Sequence, residues 1–215
     1  NGMRYTLGNL GDYYSQKGDL GTALEYHTRT LEIEEELDDK HGIVYSLSNI
    51  GDLYYINGDY GKALYNYVRS LNISEKLDDE YGMYSIGYSI GYMGFVYINK
   101  REYVKAIPQL EKAITIVNEM GITHKLLFFT THLYLSYKNL GKEYDINDIH
   151  AFIKDAENIE FDLNYAIYQL SEDTSYLETA YNQVQEKADN LEPDVAAKFL
   201  SYPIPKAIVE EWEKV

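Results

Sequence analysis

The chain has 215 residues, 45% hydrophobic and 25% charged, enough for one ordinary domain or two small ones and too apolar for a disordered tail. With 19 basic against 35 acidic residues the net charge is −16, which repels phosphate backbones and excludes nucleic acid as a partner. The absence of cysteine removes disulfides, thiolate metal sites and cysteine nucleophiles, and fits a cytoplasmic protein.

The chain opens on Asn1-Gly2 with no basic or apolar leader, so no signal peptide is expected and the sequence reads as part of something longer. The first predicted element ends at Gly18, where a left-handed residue closes a helix and Asp19 caps the next. Leu24, His27 and Leu31 then recur at helical spacing, and Asp38-Asp39 lead through a loop to Gly42. A shift of 40 residues lays this hairpin on a second one. Asn9-Leu10-Gly11-Asp12 meets Asn49-Ile50-Gly51-Asp52, Gly18-Asp19 meets Gly58-Asp59, and Ala23-Leu24 meets Ala63-Leu64. Leu64, Tyr67 and Leu71 repeat the apolar stripe, and Asp78-Asp79 and Gly82 repeat the loop.

A third copy follows at an offset of 43, with Gly94, Tyr97, Ala106-Ile107, Ala113-Ile114 and Met120-Gly121. Its three extra residues should make its first helix start earlier or bulge. The stretch from Tyr81 to Asn99 carries no charge and reaches transmembrane length, but its Gly and Tyr fall in register with the other copies, which favours a covered middle repeat. Pro108 sits inside the following helix and should cost one backbone bond and kink it. A fourth, partial copy holds Tyr137, Gly141 and Tyr144.

From about Asp145 the repeat fades into shorter helices. One is capped at Asn147 or Asp148 and runs through Ile159, one runs from Asp162 to Gln169, and one from Asp173 or Thr174 to Leu191. Another starts at Glu192-Pro193 and ends near Leu200. Residues 201–205 form a stiff break, and Lys206 to Lys214 closes the chain with Ile208, Val209 and Trp212 on one face. The expected organisation is about three and a half repeats over 1–145 (near 4–43, 44–86, 87–126 and 127–145) and a helical cap over 146–215.

Leu10-Gly11-x-x-Tyr14, Gly18 and Ala23 recur as Ile50-Gly51-x-x-Tyr54, Gly58 and Ala63, and as Met93-Gly94-x-x-Tyr97 and Ala106. On these residues the chain resembles the tetratricopeptide repeat (TPR) family, with a period of 40 in place of the common 34. The longer period resembles kinesin light chains and the C-terminal TPR regions of large bacterial signalling proteins linked to cyclase, kinase or ATPase modules. The resemblance implies an all-α fold, a right-handed α-solenoid of antiparallel helix pairs closed by the helical cap. It also implies a groove lined by the first helix of each pair. Carried over copy by copy, that groove holds Tyr5, Asn9, Asp12 and Gln16, then Tyr45, Ser48, Asn49, Asp52, Tyr55 and Ile56. Tyr88, Tyr92, Phe95 and Asn99 follow from the third copy, and Phe128, Thr131, His132 and Lys138 from the fourth. In related repeats an Asn at the place of Asn9 and Asn49 grips a bound peptide's backbone; the alternative is a structural bond across the stack. Tyr88 and Tyr92 stand where the clamp for C-terminal carboxylates needs Lys or Arg, so that ligand is excluded. Asp12 and Asp52 beside tyrosines suit a segment with basic and apolar side chains.

No sequence motif for catalysis is present: the five histidines are scattered, and no nucleophile elbow or phosphate loop occurs. The expectation is therefore a non-enzymatic protein-interaction scaffold with no cofactor, metal, nucleic acid or membrane partner. An intramolecular regulatory module acting on an upstream catalytic domain is the alternative, and homo-oligomers stay open.

Overall fold

The structure, a computed structural model, describes residues 2–154, 156 and 158–215. Among the described residues there are twelve α-helices and no strand. Contacts divide the chain into two compact units, residues 1–96 and 97–215.

The first unit holds α1 (Gly2–Gln16), α2 (Leu20–Glu36), α3 (Lys40–Ile56), α4 (Tyr60–Ser74) and most of α5 (Glu80–Asn99). Helix α1 packs on α2, α2 on α3 and α3 on α4, the neighbour-to-neighbour pattern of helical repeats. The expected turn chemistry is present. Gly18 and Gly58 take φ of 76° and 81°, and the Asp19 and Asp59 side chains accept the amides of Thr22 and Lys62. Between hairpins Asp39 accepts the Gly42 amide and Asp79 the Gly82 amide. Leu31, Ile43, Leu47 and Ile50 form one core under Leu24, Tyr54 and Ile73. Serine hydroxyls join the later helices: Ser70 on α4 lies 3.1 Å from Ser48 on α3 and 3.2 Å from Ser89 on α5.

The three added residues of the third copy are helical, so α5 has 20 residues against 17 in α3. No helix among the described residues is long and apolar enough to cross a membrane. The turn after α5 departs from its two predecessors. Arg101 takes the left-handed place of the glycine at φ 59°, and Glu102 stands at the N-cap without a side-chain bond.

The second unit contains α6 (Tyr103–Glu119), α7 (Thr123–Asn139), α8 (Ile146–Lys154), α9 (Phe161–Ser171), α10 (Thr174–Asp189), α11 (Pro193–Ser201) and α12 (Pro203–Trp212). Helix α6 is assigned as one helix through Pro108. The proline removes a bond to the carbonyl of Val104, an exposed residue in the helix's first turn. Leu127, Leu135, Ile149, Leu163, Ile167 and Leu170 bring α7, α8 and α9 into one core. The Lys138 ammonium caps α9 by donating to the carbonyls of Gln169 and Leu170 while pairing with Glu172.

Three tail expectations shift. Helix α8 ends at Lys154; the expected run to Ile159 crosses residues 155 and 157, which lie outside the described ones. Helix α9 is entered at Glu160, with Asp162 inside its first turn. The stiff break narrows to Tyr202, because Pro203 opens α12 and Pro205 follows in its first turn, where a missing amide hydrogen costs nothing.

Candidate functional site

The Gly-Asp pair of the first two leading helices, α1 and α3, builds the most organised polar arrangement of the first unit. In the second repeat, Asp52 on α3 receives the Tyr67 hydroxyl from α4 at 2.6 Å on one oxygen and the Tyr88 hydroxyl from α5 on the other. Gly51 makes this possible: a Cβ there would fall 2.6 Å from Cε1 of Tyr67, so only glycine lets the ring lie against the helix backbone. Tyr67 is wholly buried. Burial and the Asp52 charge push the Tyr67 and Tyr88 phenols well above their ordinary range, so both stay protonated donors.

The first repeat holds the same arrangement with one exchange. Asp12 on α1 receives the Tyr45 hydroxyl from α3 at 2.7 Å, as Asp52 receives Tyr88. Where Tyr67 stands in the second repeat, 40 positions earlier, α2 carries His27. Its ring lies on Gly11, where a Cβ would meet Nε2 at 2.6 Å, and Nε2 faces Asp12 Oδ1 at 3.5 Å. An imidazole is shorter than a phenol, and the gap is too long for a good hydrogen bond. His27 is 1% exposed, and its Nδ1 is buried with no hydrogen-bond partner. Burial lowers the His27 pKa, against the Asp12 charge, which raises it. The imidazole is therefore neutral at pH 7 and does not offset the Asp12 carboxylate, whose side chain is 37% exposed. Among the described residues no Lys or Arg forms an ion pair with Asp12.

Asn49 sits one turn after Tyr45 on α3. Its Nδ2 is buried with no well-formed hydrogen bond, although the amide lies near enough to the Tyr45 phenol to oppose the rise of that group's pKa to about 12, which burial and the Asp12 bond cause. Asp12, Tyr45 and Asn49 thus form one contiguous patch across α1 and α3. The remaining expected residues fall into separate settings. Tyr88 stacks on Tyr92 at 4.2 Å between ring centroids, and Tyr92 meets Phe95 edge-on at 5.1 Å, which makes an aromatic row along α5. Phe95 is buried, so the third copy replaces the carboxylate with core. Tyr55 packs near Tyr60 at the end of its hairpin. Asn9 is exposed, and Tyr5 is exposed under the Arg4 guanidinium, which also donates to its hydroxyl. His132 belongs to the second unit. Its Nδ1 lies 2.8 Å from the Phe128 carbonyl, and burial lowers its pKa to about 4.

His27 and Tyr67 were not among the expected site residues. Their signal is in the repeat itself, because the offset that aligns Gly11-Asp12 with Gly51-Asp52 also aligns His27 with Tyr67. No group of three His, Cys, Asp or Glu side chains that could hold a metal occurs among the described residues.

Residues 3–76 match the tetratricopeptide repeat family. The match spans the first two hairpins, about a third of the chain. No curated protein matches the chain by sequence. Among solved structures, the chain is similar to aspartyl phosphate phosphatase F from Bacillus subtilis, with a TM-score of 0.71 and 16% identity over 98% of this chain and 59% of that one. It is also similar to the Rap conjugation gene regulator of the plasmid pLS20 in complex with the Phr* peptide, with a TM-score of 0.65 and 15% identity over 98% of this chain and 63% of that one. A kinesin light chain from Podosopora anserina with nearly identical TPR-like repeats gives 0.55 and 16% over 98% and 97%. The chain spans about three fifths of the first two neighbours. These likenesses establish an all-α helical-repeat fold of the solenoid class.

Proposed function

We propose that the chain is a non-catalytic protein-interaction scaffold that captures an extended segment carrying basic and apolar side chains along the leading helices of its first repeats. The carrying observation is the patch across α1 and α3: an accessible carboxylate without a Lys or Arg partner among the described residues, beside an asparagine whose buried Nδ2 has no well-formed hydrogen bond. Such an amide suits a peptide carbonyl, and the carboxylate suits a guanidinium or ammonium. Tyr45 on α3 and the Tyr88–Tyr92 row on α5 offer flat contact area with little entropy to lose. The likeness to a Rap regulator solved with a peptide supports the reading, and the likeness to aspartyl phosphate phosphatase F from Bacillus subtilis, of which this chain spans 59%, supports a place inside a larger bacterial signalling protein. Residues 1–145 would then supply the repeats and 146–215 the cap.

The test is selection of binding peptides from a random display library, followed by calorimetry on Asn49→Ala. Loss of on the order of 1–3 kcal/mol of binding with an unchanged melting midpoint is expected. Intact binding with reduced stability would return Asn49 to a structural role and overturn the reading.

A further inference from the structure

The two carboxylate sites differ at one position, and that position is titratable in the first repeat. Asp52 is closed by two phenols that do not ionise near neutral pH. Asp12 is held by one phenol and faced by an imidazole. The titratable groups that meet the His27 ring are Asp12 from α1, at 3.5 Å, and Tyr45 from α3, whose ring lies edge-on at 6.5 Å. Of these only Asp12 is charged at neutral pH. With Nε2–H turned to the carboxylate, the proton accepted in acid goes to Nδ1, which is buried without a partner. Among the described residues the anion that acts on this imidazolium is Asp12.

We propose that His27 is a positioning residue and a proton-operated competitor at Asp12: charged, it neutralises the carboxylate, so a cationic segment is captured at neutral pH and released in acid. This regulation rests on the binding reading above. By linkage it is reciprocal: the proton weakens the guest, and the guest's positive charge makes His27 harder to protonate. The second repeat, with Tyr67 in the same place, has no such response. Substituting His27→Tyr copies the second repeat into the first, giving Asp12 a second phenol as Asp52 has and removing the titration.

The test uses the full chain, NMR titration of the histidine ring protons (assigned through His27→Tyr), and two probes. These are the acetylated, amidated pentapeptide Ala-Leu-Arg-Leu-Ala and the same peptide with Gln in place of Arg. His27 is expected to titrate below the ordinary 6.5, to move further down in Asp12→Asn, and to move down with the Arg peptide but not the Gln peptide. Affinity for the Arg peptide should fall on the order of tenfold once His27 is protonated; in His27→Tyr it should start weaker, because a second phenol engages Asp12, and stay flat over the same range. A His27 that remains neutral down to acid unfolding, or whose midpoint ignores Asp12→Asn, overturns the proton link. An intact Asp12→Asn shift with no Arg-peptide binding at pH 7.5 overturns the binding reading instead, and with it the regulatory use. An equal acid loss in His27→Tyr places the pH response elsewhere and overturns the assignment to His27.

Discussion

The first and second repeats share a Gly-Asp pair, a ring laid over the glycine, and a tyrosine from the following helix, yet the two carboxylates live differently. Asp52 has a donor on each oxygen, one from a wholly buried phenol. Asp12 has one firm donor and an imidazole standing off at 3.5 Å. The difference teaches that one backbone frame can serve as a structural lock or as an open site. The choice falls on a second-helix residue whose reach decides whether the carboxylate is satisfied internally.

The largest expected consequence is in stability. Asp52→Ala removes the acceptor of two phenols and should cost roughly 3 kcal/mol, whereas Asp12→Ala, at a more exposed site, should cost about 1 kcal/mol. Denaturant midpoints check both, and equal costs would erase the distinction between lock and open site. Next in size is an acid effect that must be separated before the first repeat can be read. His132 in the second unit has its pKa lowered to about 4. Its unfolded form therefore binds a proton first, so the stability it contributes is full above pH 6.5 and drains away as pH falls from 6.5 toward 4. About 3 kcal/mol should be lost over that window, and His132→Gln should flatten it in thermal melts. On that background the same sign holds for His27, whose pKa is also lowered, and His27→Tyr should remove the remaining slope. The smallest effect concerns the glycine frame. Gly51→Ala drives a methyl to 2.6 Å from the Tyr67 ring and should destabilise by about 1–2 kcal/mol, despite the better helix propensity of alanine. A neutral melting midpoint there would mean that the ring is not confined.

Much of this architecture is legible in the sequence. The 40-residue offset exposes the hairpins, and Gly18-Asp19 and Gly58-Asp59 announce turns that take the left-handed and capping roles their chemistry dictates. The third turn is less legible, since Arg101 occupies a conformation that a glycine would have advertised. Pro108 reads as a breaker, but the helix continues through it, with the lost bond in an exposed first turn. Within the site, Asp12, Tyr45 and Asn49 could be singled out by position, because equal places on successive helices are neighbours. Their partners could not. His27 and Tyr67 look like members of an apolar stripe, and the reach of a ring over a glycine becomes visible only when helix packing brings α2 over α1 and α4 over α3. Tyr5 and Tyr55 show the converse: their repeat positions match the site, but Arg4 and Tyr60 are the neighbours that engage them.

The central claim is that the first repeat offers an open carboxylate beside an amide without a well-formed hydrogen bond. Titrating the Arg pentapeptide into the labelled full chain, while following the Asn49 side-chain amide and the Asp12 and Tyr45 signals, tests it most directly. The account predicts that these three move first and farthest, that added salt weakens the effect, and that Asp12→Asn abolishes its dependence on the arginine. Perturbations centred on the exposed Tyr65 and Val68 of α4, with the Asn49 amide unmoved, would contradict it.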